Sequence, residues 1–138
     1  MVRRLAILLS VGVLSVVGFF GIVILASESG EVITLRTSDG DSVEHSTRLW
    51  VVDHAGAEWT RTGHPEKAWF RRILDNPVVE LERRGESSSR TAVPVLEGEA
   101  VQAVKRAYKE KYGVADWIVA LSGDASKRVV IRLDRTEP

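Results

Sequence analysis

The chain has 138 residues, and its 19 Lys and Arg side chains equal its 19 Asp and Glu side chains, so the formal net charge is zero. A nucleic-acid-binding protein normally carries a basic excess, so this balance argues against that class. The absence of cysteine excludes disulfides, thiolate metal sites and a cysteine nucleophile. The three histidines show no metal-binding spacing such as HExxH, so no metal site is predicted.

The first predicted element is an apolar helix, because no charged residue occurs from Leu5 to Ala26. At ~1.5 Å per residue the run covers about 33 Å, enough for a ~30 Å hydrocarbon core. Arg3 and Arg4 precede the run and acidic residues follow it, which predicts a cytoplasmic N-terminus. We therefore predict a single-pass anchor in the cell membrane over residues 1–27 and an extracytoplasmic domain over residues 28–138.

Two other interpretations of the apolar run stay open, a cleaved signal peptide and a buried soluble helix. A signal peptide usually has an apolar core of ~7–15 residues that ends at small residues in an A-x-A-like pattern. Here the core is longer, and the exit Ile24-Leu25-Ala26-Ser27 fits that pattern poorly. The sequence thus favours a retained anchor.

Three strands are predicted next, in an antiparallel meander. Val32–Thr37 is rich in β-branched residues, and Asp39-Gly40 is a strong hairpin pair because Gly tolerates positive φ. A longer strand from Ser42 to Asp53 and a third over Ala57–Thr62 follow, with a turn at residues 54–56.

The remaining body alternates helices and strands. Pro65 is predicted in the first turn of a helix over Glu66–Asp75, which ends before Asn76-Pro77. Later elements are two strands, a long helix capped by Gly113, a short helix and a final strand, at Val78–Arg83, Ser88–Val95, Glu99–Tyr112, Ala115–Leu121 and Val129–Leu133. Six antiparallel strands with two main helices predict a mainly β, α+β barrel or roll.

Arginines are the most informative candidates for a site. Arg48 in the second strand and Arg61 at the end of the third would converge near the helix start if those strands pair. Arg side chains beside a helix N-terminus make a phosphate or carboxylate site, and Trp50 nearby would suit a planar phosphorylated cofactor. The alternatives are a mixed-charge surface for the arginines and core packing for the tryptophan.

Two longer stretches carry a family resemblance. The segment Thr47–Val52 is followed by Gly56 and Trp59, and WFRRILDNPVVEL runs from Trp69 to Leu81. The second stretch resembles the Trp-x-x-x-Leu-x-x-Asn-Pro-x-Val-Glu-Leu pattern of the deazaflavin-dependent nitroreductase-like proteins, with Ile in place of the first Leu. Arg90-Thr91-Ala92 and Tyr108 to Gly113 extend the similarity, which covers about residues 31 to 134.

This resemblance implies a split β-barrel, related to those of pyridoxamine-phosphate oxidases, with a deazaflavin coenzyme or FMN. It implies hydride transfer to a quinone or nitro compound, with Tyr108 and Tyr112 as the catalytic residues near the reacting ring. It places six residues near the cofactor, Thr37, Ser38, Gly40, Thr47, Trp69 and Asn76. Together with Arg48, Trp50 and Arg61 from the argument above, they make up the predicted cofactor-binding set. Barrels of this kind often build the site between two copies, so a homodimer is expected.

One departure from the family pattern supports an alternative. The turn Ser38–Asp41 carries two carboxylates where the family commonly has Lys or Arg for phosphates, and carboxylates repel phosphate. The leading hypothesis is a membrane-anchored oxidoreductase that uses deazaflavin or flavin and acts on a membrane quinone or a nitro-type acceptor. The alternative is a catalytically inactive split barrel that binds a ligand or serves as a scaffold.

Overall fold

The strands form a single antiparallel sheet in the computed structural model, which describes residues 1–28, 30–121 and 123–136. Its seven strands lie in the order β2-β1-β5-β6-β7-β4-β3. Their bounds are β1 (Val32–Ser38), β2 (Glu44–Trp50), β3 (Val52–His54), β4 (Ala57–Thr62), β5 (Val78–Arg83), β6 (Glu86–Val95) and β7 (Val129–Arg135). The helices are α1 (Val2–Glu28), α2 (Ala68–Asp75), α3 (Glu99–Tyr112) and α4 (Val114–Leu121), with a 3₁₀ turn at Ala125–Lys127.

The sheet curls until its two ends meet, which makes a half-barrel. β2 pairs with β1, whereas β3 pairs with β4 at the opposite end of the sheet, and only Val51 separates the two strands. The hydroxyl of Thr60 on β4 donates to the carbonyl of Trp50 on β2 at 2.9 Å. The Tyr112 hydroxyl accepts from the Val51 N–H at 3.0 Å, which satisfies a backbone group at the break.

The numbers of strands and helices in the structure differ from the predicted numbers. We predicted six strands, but the long strand expected over Ser42–Asp53 is two strands, because its halves pair with partners at opposite ends of the sheet. The two predicted main helices are α2 and α3. The described chain also contains α1 and α4, at the positions where an anchor and a short helix were expected.

Two predicted turn details are wrong. The second helix begins at Ala68 rather than Glu66, since the Glu66 N–H donates to the His64 ring at 3.1 Å in the preceding turn. The first hairpin turns at Asp39–Ser42 as predicted, because the Ser42 N–H donates to the Asp39 carbonyl at 3.0 Å. The positive φ expected at Gly40 lies instead at Ser42, and the Asp39 carboxylate accepts from the N–H groups of Asp41 and Val43.

Apolar residues pack on both faces of the sheet. The inner face forms a core with α2, whose Trp69, Phe70 and Ile73 are buried. The outer face forms a second core with α3, through Val101, Val104, Tyr108 and Tyr112. The alternation of side chains along β7 supplies both cores from one strand, with Ile131 and Leu133 in the inner core and Val130 in the outer one.

The N-terminal helix stands apart from both cores. Its segment Val2–Ile22 has a mean hydropathy of 2.5 and none of it is buried against the rest of the chain. The segment is long and apolar enough to cross a membrane, and a signal sequence meets the same criteria. α1 contacts α4, so the apolar helix lies beside the last helix of the body.

Candidate functional site

A cavity of about 580 Å³ lies where the curled sheet brings β2 next to β4. Its walls come from β1, β2, β4, α4, the segment before α2 and the segment before β7. The lining residues are Val32, Arg48, Leu49, Trp50, Arg61, Gly63, His64, Lys67, Val119, Gly123, Asp124 and Arg128. This volume falls in the range of small-molecule and cofactor sites.

The cavity is strongly cationic. Arg48, Arg61, Lys67 and Arg128 line it, and Asp124 is the single acidic residue among the described residues that do so. Burial, and then the nearby charge of Arg61, lowers the pKa of the Arg128 guanidinium. A bound anion would reduce this repulsion, so the cavity has the electrostatics of a phosphate or carboxylate site.

Arg61 is held in place by groups outside the cavity. Its guanidinium forms a salt bridge with Asp116 of α4, and both side chains are largely buried. It also lies 4.0 Å from the ring centroid of Tyr108 on α3, as a cation–π contact. Arg61 therefore presents its charge to the cavity from a fixed position.

Trp50 gives the cavity an aromatic wall. Its ring stacks on Tyr112 with centroids 4.3 Å apart and planes 7° from parallel. The Tyr112 ring in turn stacks on Tyr108 at 5.6 Å. An aromatic group fixed beside several cations suits a planar ligand that carries a phosphate.

The structure brings three of the predicted cofactor residues to this cavity, namely Arg48, Trp50 and Arg61. The strands of the two arginines do not pair, and it is the curl of the sheet that brings them together. Arg128 also lines the cavity, although no sequence pattern indicated a role for it. The sequence gives little indication of this role, because Arg128 lies more than sixty residues from Arg61. Only the pairing of β4 with β7 brings the two arginines close together.

The other predicted cofactor residues lie elsewhere. Thr37 is buried and accepts from Arg72 at 2.8 Å, and Trp69 belongs to the inner core. Asn76 follows α2, where its side chain accepts from the Val78 N–H at 3.3 Å. Ser38 is the last residue of β1, Gly40 lies in the β1–β2 loop, and Thr47 is on β2. None of the six lines the cationic cavity, and their role stays a prediction.

The two predicted catalytic tyrosines are buried. The Tyr108 hydroxyl donates to the Trp50 carbonyl at 3.0 Å, and burial raises the pKa of Tyr108. The Tyr112 hydroxyl lies 2.7 Å from the Glu31 carbonyl and 2.9 Å from that of Val51, and burial raises its pKa as well. Both hydroxyls thus bind backbone in this chain, and their catalytic assignment stays a prediction.

His64 is the histidine that lines the cavity. Its Nδ1 accepts from the Glu66 N–H at 3.1 Å, so in the neutral ring Nε2 carries the proton. A metal-binding histidine uses an unprotonated nitrogen and donates through the other one. This hydrogen bond therefore opposes metal ligation by Nε2, and the described residues contain no cluster of His, Asp and Glu able to hold a metal ion.

A second cavity, of about 840 Å³, opens at the polar end of the barrel and carries a compensated cluster of charges. Arg83 forms ion pairs with Glu31 at 2.8 Å, Asp53 at 2.8 Å and Glu58 at 3.0 Å. Arg90 adds a pair with Glu58 at 2.8 Å. The hydrogen bonds from Arg83 hold the pKa of Glu31 down at about 2.

Comparisons with known proteins show similarity at the level of structure. No protein-family model matches the sequence, and no curated protein sequence is similar to it at a significant level. Solved structures that match include HutZ, the heme storage protein of Vibrio cholerae, at 14% identity and a TM-score of 0.59, over 82% of this chain and 87% of that one. A putative pyridoxamine 5′-phosphate oxidase of Listeria innocua has 15% identity and a TM-score of 0.56, over 85% and 93%.

The matches also include the F420-H2-dependent reductase FDR-A, with 20% identity and a TM-score of 0.56, over 74% of this chain and 93% of that one. Another matched structure is described as a domain-swapped dimer. At these identities the comparisons define the fold alone. The chain shares its split-barrel fold with these structures, which include a heme storage protein, a putative pyridoxamine 5′-phosphate oxidase and an F420-H2-dependent reductase.

Proposed function

We propose that this protein is a membrane-anchored split-barrel oxidoreductase whose cationic cavity holds a phosphorylated planar cofactor, a deazaflavin coenzyme or FMN. The observation that carries the proposal is the convergence of four cations and Trp50 on one cavity with a single acidic residue among its described walls. Residues 1–27 would form the anchor and residues 28–138 the catalytic barrel outside the cytoplasm.

The protein's own residues would bind and orient such a group. Arg48, Lys67 and Arg128 offer donors for phosphate oxygens, and Arg61 adds a charge that its pair with Asp116 keeps in place. Trp50 would lie against the planar ring system. When bound, the cofactor would supply hydride transfer to an acceptor. An anchored barrel suits a membrane quinone or another apolar acceptor of the nitro type.

The predicted residues outside the cavity fit a site completed by a second copy. Thr37, Ser38, Gly40, Thr47, Trp69 and Asn76 do not line the cationic cavity, and Thr37 and Trp69 are buried within the chain. A homodimer would bring exposed residues of this set, such as Asn76, to a shared site, and the domain-swapped dimer among the matched structures supports such an assembly.

A specific observation favours a second candidate, the catalytically inactive ligand-binding barrel. The hydroxyls of Tyr108 and Tyr112 both bind main-chain carbonyls, so neither is directed to a substrate in this chain. This candidate shares the anion-binding cavity but lacks turnover. Ligand binding without hydride transfer would support it.

Titration tests the proposed site. The full-length protein in detergent should bind FMN or the deazaflavin coenzyme, and the fluorescence of the added compound measures the binding. Arg48→Ala should weaken binding about 10- to 100-fold, which corresponds to ~1.5–3 kcal/mol for a charge-assisted hydrogen bond. Arg71→Ala is the matched control, because Arg71 is exposed on α2 and does not line the cavity.

Three outcomes would separate the candidates. Absence of binding of either compound at ~100 μM, where a useful site gives over 5 kcal/mol, would contradict the cofactor proposal. Equal losses in Arg48→Ala and Arg71→Ala would mean that binding is unspecific. Tight binding without reduction of a quinone or nitro acceptor by the reduced cofactor would leave the inactive barrel.

A further inference from the structure

The helix α4 has an exposed apolar face that neither core covers. Val114, Trp117 and Leu121 lie at helical spacing, so they share one side of α4. Their exposed fractions are 71%, 63% and 61%. The opposite side of α4 is fixed to the barrel, because its Asp116 is buried and pairs with Arg61. The apolar side is therefore held outward.

We propose that this face of α4 lies in the interfacial region of the lipid bilayer beside α1. The proposal rests on the retention of α1 as an anchor, which is part of the proposed function. α1 is the helix with the length and hydropathy of a membrane span, and α4 contacts it. The apolar face of α4 is thus continuous with a surface that itself requires lipid.

The composition of the surroundings matches a membrane interface. Tryptophan is enriched at the level of lipid headgroups, where its ring is partly apolar and its N–H is polar. A cavity of about 420 Å³ beside Trp117 is lined by Lys105, Arg106 and Lys109 of α3, all exposed. Among the described lining residues its single acidic group is Asp116, which Arg61 already neutralises.

The apolar face of α4 and the basic residues of α3 match the two chemical layers of a membrane surface, the acyl chains and the anionic headgroups. Apolar side chains enter the boundary of the acyl chains while lysines and arginines attract anionic headgroups, as in interfacial amphipathic helices. One short helix would bind lipid weakly when alone, but α1 already holds it at the membrane surface. Docking of α4 would fix the orientation of the barrel, with the cationic cavity close to the bilayer, because Val119 of α4 lines that cavity.

The absence of cysteine allows a direct test on the full chain. Leu121→Cys and, as a matched control, Leu74→Cys each introduce one thiol for a spin label. Leu74 is also an exposed leucine, with an exposed fraction of 58%, but it lies on α2. Each labelled protein is reconstituted in vesicles of phosphatidylcholine and phosphatidylglycerol. Collisions with oxygen, which enters lipid, are compared with collisions with a water-soluble nickel complex.

The expected result is a label at position 121 that is more accessible to oxygen than to nickel, and the reverse at position 74. Resistance to carbonate extraction shows independently whether α1 is inserted. With α1 inserted, equal nickel accessibility at the two positions overturns the proposal. Shielding of position 121 from both reagents, with spin–spin broadening, would also overturn it, because a second copy would then cover the face.

Two further arms complete the test. Replacing Lys105, Arg106 and Lys109 by Gln should reduce the oxygen preference at position 121 in these vesicles but not in vesicles of phosphatidylcholine alone. A chain isolated from cells without α1 in the soluble fraction would overturn the proposal through its anchor. In that case the cofactor titrations would still decide the fate of the cationic cavity.

Discussion

The two charged regions of the barrel differ in how their charges are balanced. At the polar end, Arg83 and Arg90 are matched by Glu31, Asp53 and Glu58, and every one of these residues forms ion pairs within the chain. At the cationic cavity, four basic residues surround one acid among the described residues. The same residue types therefore serve two purposes.

This difference separates structural from ligand-directed charge. In a matched cluster the ion pairs offset the cost of removing the charges from water, so no further anion is needed. At the cationic cavity Arg61 pairs with Asp116, but basic side chains outnumber acidic ones among the described lining residues. Burial, and then the charge of Arg61, lowers the pKa of the Arg128 guanidinium, so an anion supplied by a ligand would be stabilising there. The larger of the two cavities is thus the poorer candidate for binding an anion, since its Arg83 and Arg90 already pair with carboxylates.

The largest expected effect is the loss of the matched cluster. Arg83→Met should lower the free energy of unfolding by about 3 kcal/mol, because it leaves three carboxylates without their shared partner. Arg84→Ala is the control, since Arg84 is exposed and adds only one pair to Glu31; we expect a loss under ~0.5 kcal/mol. Denaturant unfolding in detergent, followed by tryptophan fluorescence, measures both.

This prediction could break the comparison. Similar stabilities of Arg83→Met and the native protein would show that the cluster is dispensable. Its charges could then serve a ligand, and the distinction between the two regions would fail.

A second prediction concerns acid sensitivity. The pKa of Glu31 is about 2 in the folded chain, against 4.5 for an unperturbed glutamate, chiefly because of hydrogen bonds from Arg83. A lowered folded pKa contributes stability that is complete above the unfolded pKa and is lost as the pH falls through the folded one. Glu31 should therefore lose its contribution between about pH 5 and pH 2.

Glu31→Gln isolates this contribution. At pH 7 the variant should be less stable than the native protein by about 2 kcal/mol, and the difference should shrink as the pH falls through that window. Thermal unfolding at a series of pH values measures the two proteins side by side. A difference that stays constant from pH 7 to pH 2 would show that Glu31 acts through packing rather than through charge.

Local signals explain which parts of the fold could be predicted. The bounds of β4, β5 and α3 match the sequence prediction, because each is flanked by local stop signals such as Ala55-Gly56, Arg84-Gly85 and Gly113. The break at Val51 has no such signal. It depends on β1, β4 and Tyr112, the last of which lies sixty-one residues further along the chain.

The site could be predicted only in part, for the same reason. Arg48, Trp50 and Arg61 were grouped because strands that follow one another in the sequence carry them, and it is the curl of the sheet rather than pairing of those strands that brings them to one cavity. Arg128 enters through the pairing of β7 with β4, which no local pattern specifies. The hydrogen bonds of the acidic loop could not be predicted from the sequence either: the Asp39 carboxylate accepts from two loop N–H groups and lies 2.9 Å from the His45 ring.

The smallest predicted effect sharpens the electrostatic contrast. Asp39 and Asp41 follow the end of β1 that is opposite Val32, the β1 residue that lines the cationic cavity. At ~3.3 Å per strand residue the separation is about 20 Å, or roughly two Debye lengths at 0.1 M salt. Asp39→Asn with Asp41→Asn should therefore leave FMN or deazaflavin affinity unchanged at that salt concentration.

Asp124→Asn is the matched comparison, because Asp124 lines the cavity itself. Its oxygen accepts from the Ser126 N–H at 2.9 Å, and the amide oxygen of Asn can replace that bond. Removing this acid should tighten binding several-fold, and the gain should grow as the salt concentration falls. An equal gain in affinity from the Asp39 and Asp41 substitutions would mean that the ligand phosphate binds at the β1–β2 loop. That result would contradict the assignment of the cofactor to the cationic cavity.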